Sequence, residues 1–176
     1  INSPLNVIDG MVPPFLACVR AGIPVYVSTM PMAGLSGPYS MSSLLTLTHA
    51  EALFGITLAQ VVNPGVMVVH AGLPSIASIK DNYSVNLGLV SFNIANLLME
   101  KVNKRLDLPS VQTACTTSQD KPNAIAEQEA INGYAVMKKY GFHHMRHSFG
   151  FLKELVAFSM AKLERHIELC RETTAE

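Results

Sequence analysis

The stretch Pro24–Pro38 reads PVYVSTMPMAGLSGP. Val25, Tyr26 and Val27 are β-branched or aromatic and follow the Gly22–Pro24 boundary, which predicts a strand. Met30-Pro31-Met32 then leads into a loop punctuated by Gly34, Gly37 and Pro38, and a helical pattern begins at once. A strand feeding a glycine-rich turn and then a helix is the unit from which α/β proteins are built. Their chemistry collects at the C-terminal strand end, where amides and side chains face open space.

Working outward, the same design recurs. Upstream, Asp9 is placed to cap a helix running to Gly22, with Met11, Phe15, Leu16 and Val19 at helical spacing. Downstream, Leu44, Leu47, Leu53, Ile56 and Val61 follow a period near 3.6 until Asn63-Pro64-Gly65 stops them. Val66–His70 is apolar on both faces, as in a strand buried within a parallel sheet, and ends in the loop Ala71–Ser75. Ser84 is placed to cap a third helix carrying the stripe Leu87, Val90, Ile94, Leu97, Leu98, Val102 and Leu106. Val111–Cys115 reads as a third strand with Thr116–Asp120 as its loop. Pro122 suits the first turn of a helix through Tyr140, and Gly141 suits its C-terminal cap. Phe142–Ser148 is the fourth strand. A last helix is expected after Phe149-Gly150, with Leu152, Leu155, Val156, Met160, Leu163, Ile167 and Cys170 on one stripe.

One helix followed by four βα units predicts an α/β fold with a parallel sheet and right-handed crossovers. At roughly 40 residues per unit, eight units need about 320 residues, so the chain corresponds to about half of a (β/α)8 TIM barrel. The alternative is an open four-stranded sheet, but Gly34-Leu35-Ser36-Gly37 does not satisfy the dinucleotide-binding fingerprint, and no Walker A sequence is present. Residues 1–176 are therefore expected to form a single partial barrel domain. Of the 176 residues, 49% are apolar and 15% charged, against about 25% charged in ordinary domains. Much of the surface is thus expected to face other protein. Together with a first residue that is not methionine, this reads as a C-terminal fragment of a longer chain.

Formal net charge is zero, which gives no electrostatic case for nucleic acid or an anionic membrane. Three widely spaced cysteines, Cys18, Cys115 and Cys170, read as reduced thiols of a cytoplasmic protein. No signal-peptide pattern opens the chain. The apolar run Leu44–Val62 is interrupted by His49 and Glu51, which argues against a membrane span.

Four strand ends would converge in such a sheet. They offer Ser28, Thr29, Met30 and Met32; then His70 and Ser75; then Thr113, Cys115, Thr116, Thr117 and Asp120; then His143, His144, Arg146, His147 and Ser148. The set is polar but lacks a close carboxylate pair. His143-His144-x-x-His147 reads either as zinc ligands, with Cys115 and His70 in reach, or as ordinary hydrogen-bonded histidines. Cys115 reads either as a nucleophile or as a buried structural thiol. Thr116-Thr117-Ser118 is either a hydroxyl cluster for a polar substrate or a plain loop before a capped helix. His49 and His166 fall within helical patterns and read as solvent or interface residues.

GIPVYVSTMPMAGLSGP (Gly22–Pro38), HAEALFGITLAQVVNPG (His49–Gly65) and VVHAGLPS (Val68–Ser75) resemble the trimethylamine methyltransferase family. KKYGFHHMRHSFGFLKELVAFSMAKLE (Lys138–Glu164) is similar to its histidine-rich members. ACTTSQD departs from the glycine-rich turn that many members carry there. The resemblance implies a (β/α)8 barrel that moves a methyl group from a methylated tertiary or quaternary amine to the Co(I) of a separate corrinoid protein, with no cofactor bound by the chain itself. No pyrrolysine is written in the chain, which places it nearer the quaternary-amine, glycine betaine type.

A quaternary ammonium has no N–H, so aromatic faces must recognise it. Tyr26, Tyr39, Tyr83 and Phe149 lie near predicted strand ends or loops, and Arg146 is available for a substrate carboxylate. The expected substrate-binding set is Tyr26, Met30, Met32, His70, Thr116, Thr117, Arg146, His147 and Phe149, with no metal ligand and no catalytic residue assigned. Expected partners are a corrinoid protein, the amine and further copies of the chain. Two other readings stand beside this one. The first is an inactive, self-associating fragment. The second is an unrelated TIM-barrel lyase, for which no strand-end lysine exists beyond loop residue Lys121.

Overall fold

The computed structural model describes residues 1–78, 84–142 and 144–174. Tyr83 and His143, both singled out above, lie outside the described residues. Four segments run parallel in the order of the sequence. β1 (Val25–Thr29) pairs with β3 (Val68–Gly72) in the register Val27 to His70. His70 bridges to Ser110, with Val111 N donating to His70 O at 3.0 Å. β6 (Gln112–Thr113) pairs with β7 (Met145–Arg146). Beyond the C-terminal ends of β1 and β3, β2 (Met32–Ala33) and β4 (Ser75–Ser78) continue the pairing, and β5 (Ser84–Val85) lies antiparallel to β4. The fold is thus α/β with parallel strand pairs.

α2 (Met41–Val62) follows β1, α3 (Val90–Arg105) follows β3, and α4 (Ala124–Tyr140) follows β6. One face of the strands is covered by these helices. Val27 and Val68 join Ala52 and Ala59 of α2 and Val19 of α1 (Val12–Arg20) in one core cluster. Ala114, Cys115, Ala130, Tyr134 and Leu169 form a second. Burying each larger apolar side chain contributes about 1.5–3 kcal/mol.

The opposite face is bare at β1, where Tyr26 is 56% exposed. It also curves. Arg146 on the fourth strand donates from its guanidinium to Ser28 Oγ on the first at 3.2 Å and to Ala71 O on the second at 2.7 Å. Strands three places apart on a flat sheet stand about 14 Å apart, farther than one side chain spans.

By length and composition α2 is apolar enough to cross a membrane, with mean hydropathy 1.3 in its most apolar window. In this structure one face of it packs on the strands. Glu51 at its centre is buried and hydrogen-bonded by protein groups, and its small residues Ala52, Gly55 and Ala59 lie against β1 and β3.

Several sequence expectations are corrected. Asp9 does not cap α1; it opens a 3-10 turn, Asp9–Met11, that precedes the helix. Ser84 lies in β5, and α3 begins only at Val90. The buried face of α3 is Phe92, Ala95, Asn96, Met99, Glu100 and Asn103, while Val90, Ile94 and Leu106 are exposed. That face wins because its polar groups find partners on the sheet: Glu100 accepts from Ser110 Oγ and Asn103 meets His70. On α2, Val61 points to solvent.

Pro122 stands just before α4, whose cap is Asn123 accepting from Ala126 N at 2.9 Å. Gly141 ends α4 in the left-handed conformation, as expected. The last helix, α5 (Met160–Thr174), starts eleven residues after Phe149. Between them β8 (Phe151–Leu152) and β9 (Ala157–Phe158) form a hairpin whose tip, Lys153-Glu154-Leu155, has positive φ throughout. α5 then buries Lys162, His166 and Leu169, one position off the expected stripe.

α4 lies so close to the end of β6 that a Cβ on Gly133 would stand 2.5 Å from Cys115 N and 3.0 Å from its Cα. Backbone cannot give way as a flexible side chain would. Alanine is intrinsically better in a helix by about 1 kcal/mol, but overpacking costs about 1–3 kcal/mol or more. Gly133→Ala is expected to destabilise the chain by up to about 2 kcal/mol net, read as a lower denaturant midpoint. Gly10→Ala, where nothing lies within 4 Å, is expected to leave the midpoint nearly unchanged. An unchanged midpoint in Gly133→Ala would contradict this close packing.

Candidate functional site

The candidate site lies on the uncovered face, at the C-terminal ends of the four parallel strands. Side chains alternate along a strand. Val27 and Thr29 of β1 point to α2, so Tyr26 and Ser28 point the other way. Thr113 and Arg146 are register partners on β6 and β7. Arg146 crosses the face to Ser28 and Ala71, and its Nε is buried without a partner. Burial lowers its pKa, the phenol of Tyr26 opposing the shift. Among the described residues no carboxylate bridges Arg146.

His147, in the left-handed conformation, meets Thr113 Oγ1 through Nδ1 at 3.4 Å and lies edge-on to Phe151. Its pKa is lowered by burial and then by the Arg146 charge. Farther down the same face, toward the N-terminal strand ends, Tyr26 stacks on His144 at 6.4 Å between centroids. A cleft of about 470 Å³ opens there beside Met67, Val69 and Asp107.

The rim is the Pro31–Pro38 loop. Met32 O accepts from the amides of Leu35, Ser36 and Gly37, and Met32 N donates to Ser36 Oγ at 3.1 Å. The turn is therefore braced by its own backbone. Met30 is exposed and Met32 half-buried beside it, so both flank the strand ends. Exposed Tyr39 packs over Gly34.

The other expected residues are placed elsewhere. His70 is 0% exposed and faces the helix layer. Gly72 N, a fixed donor, points at His70 Nδ1, as does Asn103 Nδ2 at 3.2 Å. Nδ1 therefore carries the lone pair, and Nε2–H donates to His49 Nδ1 at 3.2 Å. Burial, then the His49 charge, lowers the His70 pKa to about 4. His49 is accordingly half-buried in a hydrogen bond, not a solvent residue.

Thr116 Oγ1 donates to Leu87 O at 2.7 Å, and Thr117 Oγ1 accepts from Gln119 N at 3.0 Å. Both are buried, so these hydroxyls serve the loop. Phe149 packs with Tyr134 and His166 in the helix layer. His166, expected at the surface, is 1% exposed and meets Ser148 O through Nδ1 at 2.7 Å. Burial pushes the Cys115 thiol pKa well up, which makes it a poor nucleophile. Among the described residues no group of three histidines, cysteines or carboxylates is placed to hold a metal.

Three buried charged residues have no site role in the sequence reading: Glu100, which accepts from Ser110 Oγ at 2.7 Å, Glu51 and Lys162. Glu51 binds the end of β1: it accepts from Thr29 Oγ1, from Ser3 Oγ at 2.7 Å and from Leu5 N at 2.8 Å. Its signal was the small-residue stripe Ala52, Gly55, Ala59, which marks the close-packed face next to it. Lys162 on α5 donates to Phe151 O at 2.6 Å, and burial brings its pKa down to about 8 against the pull of Glu129. Nothing in the period of α5 pointed to it.

The sequence profile of the trimethylamine methyltransferase (MTTB) family matches residues 1–175. Glycine betaine methyltransferase of Desulfitobacterium hafniense (strain Y51) is 27% identical over 164 residues, 92% of this chain and 34% of that protein. Trimethylamine methyltransferase MttB of Desulfitobacterium hafniense (strain DSM 10664 / DCB-2) is 24% identical over 171 residues, 97% of this chain and 34% of that protein. Trimethylamine methyltransferase MttB1 of Methanosarcina mazei is 34% identical over 100 residues, 54% of this chain and 20% of that protein. The chain thus spans about a third of the first two relatives or less of the third. With the profile matched from end to end, this chain belongs to the trimethylamine methyltransferase family.

Proposed function

We propose that the chain forms part of a (β/α)8 barrel that transfers a methyl group from a methylated amine to the cobalt of a corrinoid carried by a partner protein in the cytoplasm. The observation that carries the reading is the end-to-end family match. The strand arrangement supports it: among the described residues the successive parallel strands pair in sequence order, β1 with β3, β3 with Ser110 just before β6, and β6 with β7. In the transfer the methyl carbon leaves the amine nitrogen, which keeps the bonding electron pair, while the reduced cobalt supplies the pair for the new bond. The chain's own residues position the amine at the strand ends, and the self-braced Pro31–Pro38 turn leaves the mouth open to a large acceptor.

The test mixes the chain with a reduced corrinoid protein and, in turn, trimethylamine or glycine betaine, following the Co(I) absorbance. Loss of that absorbance with one amine and not without it is expected. No change with either contradicts the reading. A second reading, that the chain by itself is inactive and self-associates, is favoured by β1 and β7, each paired on one side only among the described residues. Sedimentation as a monomer contradicts it.

A further inference from the structure

The geometry points to Arg146 as the residue that selects carboxylate-bearing amines, of the betaine class, over amines that carry only positive charge. This rests on the methylated-amine reading and deepens it. A guanidinium has five N–H donors. Arg146 uses one toward Ser28 Oγ and one toward Ala71 O, both neutral acceptors. Its Nε–H is buried and has no partner. Unpaired buried donors are rare in folded proteins, and unpaired buried charge is costly. Among the described residues, Ser28, Ala71, Thr113, His147 and the phenol of Tyr26 lie around it on this face, none of them a carboxylate, and no carboxylate bridges Arg146.

A carboxylate entering from the mouth meets the free N–H groups in a charge-assisted contact and neutralises the cation. A trimethylammonium or tetramethylammonium ion brings a second positive charge beside an uncompensated first one, which disfavours it. The same residue therefore attracts one class and repels the other. The ammonium end of a betaine held this way projects from the guanidinium into the open space of the uncovered face.

The experiment titrates the chain with glycine betaine and with tetramethylammonium, by calorimetry or ligand-detected NMR, in the wild type, Arg146→Lys and Arg146→Met. Circular dichroism of each variant checks that it is folded. The wild type is expected to bind glycine betaine and to lose about tenfold or more of that affinity in Arg146→Met. The lysine, which keeps the charge without the fork, is expected to fall between. Tetramethylammonium is expected to bind the wild type more weakly than betaine and to gain in Arg146→Met. Equal betaine affinity in wild type and Arg146→Met, tetramethylammonium binding as tight as betaine, or no saturable binding of either probe overturns the inference. Should Arg146→Met fail to fold, the lysine variant decides, and wild-type betaine affinity there has the same force.

The two readings fail separately. Arg146-dependent betaine binding without methyl transfer to cobalt overturns only the methyltransferase. Transfer from trimethylamine with no Arg146-dependent betaine binding overturns only the selectivity.

Discussion

Replacing Glu51 with alanine is expected to destabilise the chain by about 3 kcal/mol. The carboxylate holds three donors, Ser3 Oγ, Thr29 Oγ1 and Leu5 N; the two hydroxyls also lie 3.0 Å apart, so without the carboxylate only one of them can still donate to the other. Hydrogen bonds to a charged group contribute about 1.5–3 kcal/mol each. Part of that sum is offset, because alanine also removes the cost of keeping a carboxylate out of water. The donors left behind and the hole in a close-packed face tip the balance to a net loss.

Glu51→Gln separates the polar contribution from the packing. The amide oxygen still accepts from Leu5 N, and the two hydroxyls rotate to accept from the amide NH2. Its loss is expected to be about 1 kcal/mol. Chemical denaturation of the three proteins measures this. An alanine variant within about 0.5 kcal/mol of wild type, the range of ordinary surface substitutions, would show that the clamp on the end of β1 does not matter for stability.

The second large effect is on acid stability. An unfolded histidine titrates near pH 6.5, whereas folded His70 titrates near 4. The folded chain binds the neutral ring, so the stabilisation is fully present above about pH 6.5 and is lost as pH falls toward 4. The span amounts to about 3 kcal/mol. The cause lies in the contacts. Protonation puts a hydrogen on Nδ1, where Gly72 N–H and Asn103 NH2 already point. It also places charge beside His49 on α2 and within range of Arg146 on β7, and these two are the titratable groups that act on His70.

His49, His147 and His166 are shifted down by burial in the same sense and add to the slope. Glu129, raised by burial, works the other way, since it gains a proton more readily in the folded state. Unfolding free energies measured from pH 7 to 4.5 are expected to fall in the wild type, and to fall less steeply by up to one proton in His70→Gln. Identical slopes in the two proteins would remove His70 from the account.

The architecture was legible where local chemistry and long-range packing agree. β1 and β3 stood out as β-branched runs bounded by Gly-Pro and Asn-Pro-Gly. α2 and α4 had firm stops, and Gly141 took the left-handed cap expected of it. The last helix was misread because Phe151, Leu152, Leu155, Val156 and Phe158 suit a helical stripe as well as a hairpin. The decisive feature, three consecutive left-handed residues without a glycine among them, leaves no mark in composition.

Helix faces were misjudged on α3 and α5 for one reason. An apolar stripe marks a buried face only when its polar neighbours lack partners, and here Asn103, Glu100, Lys162 and His166 all find them. At the site the sequence named Arg146 and His147, which the fold brings to the open face. It also named His70, whose strand is apolar on both sides and so gives no sign of which side faces the helices.

The most direct test of the account is chemical. The chain is incubated with glycine betaine carrying isotopically labelled methyl groups and with a reduced corrinoid protein, and both products are quantified. Dimethylglycine and labelled methyl-corrinoid are expected in equal amounts, with betaine consumed to match. Dimethylglycine without label on the corrinoid, or betaine recovered intact while the corrinoid stays reduced, would contradict it.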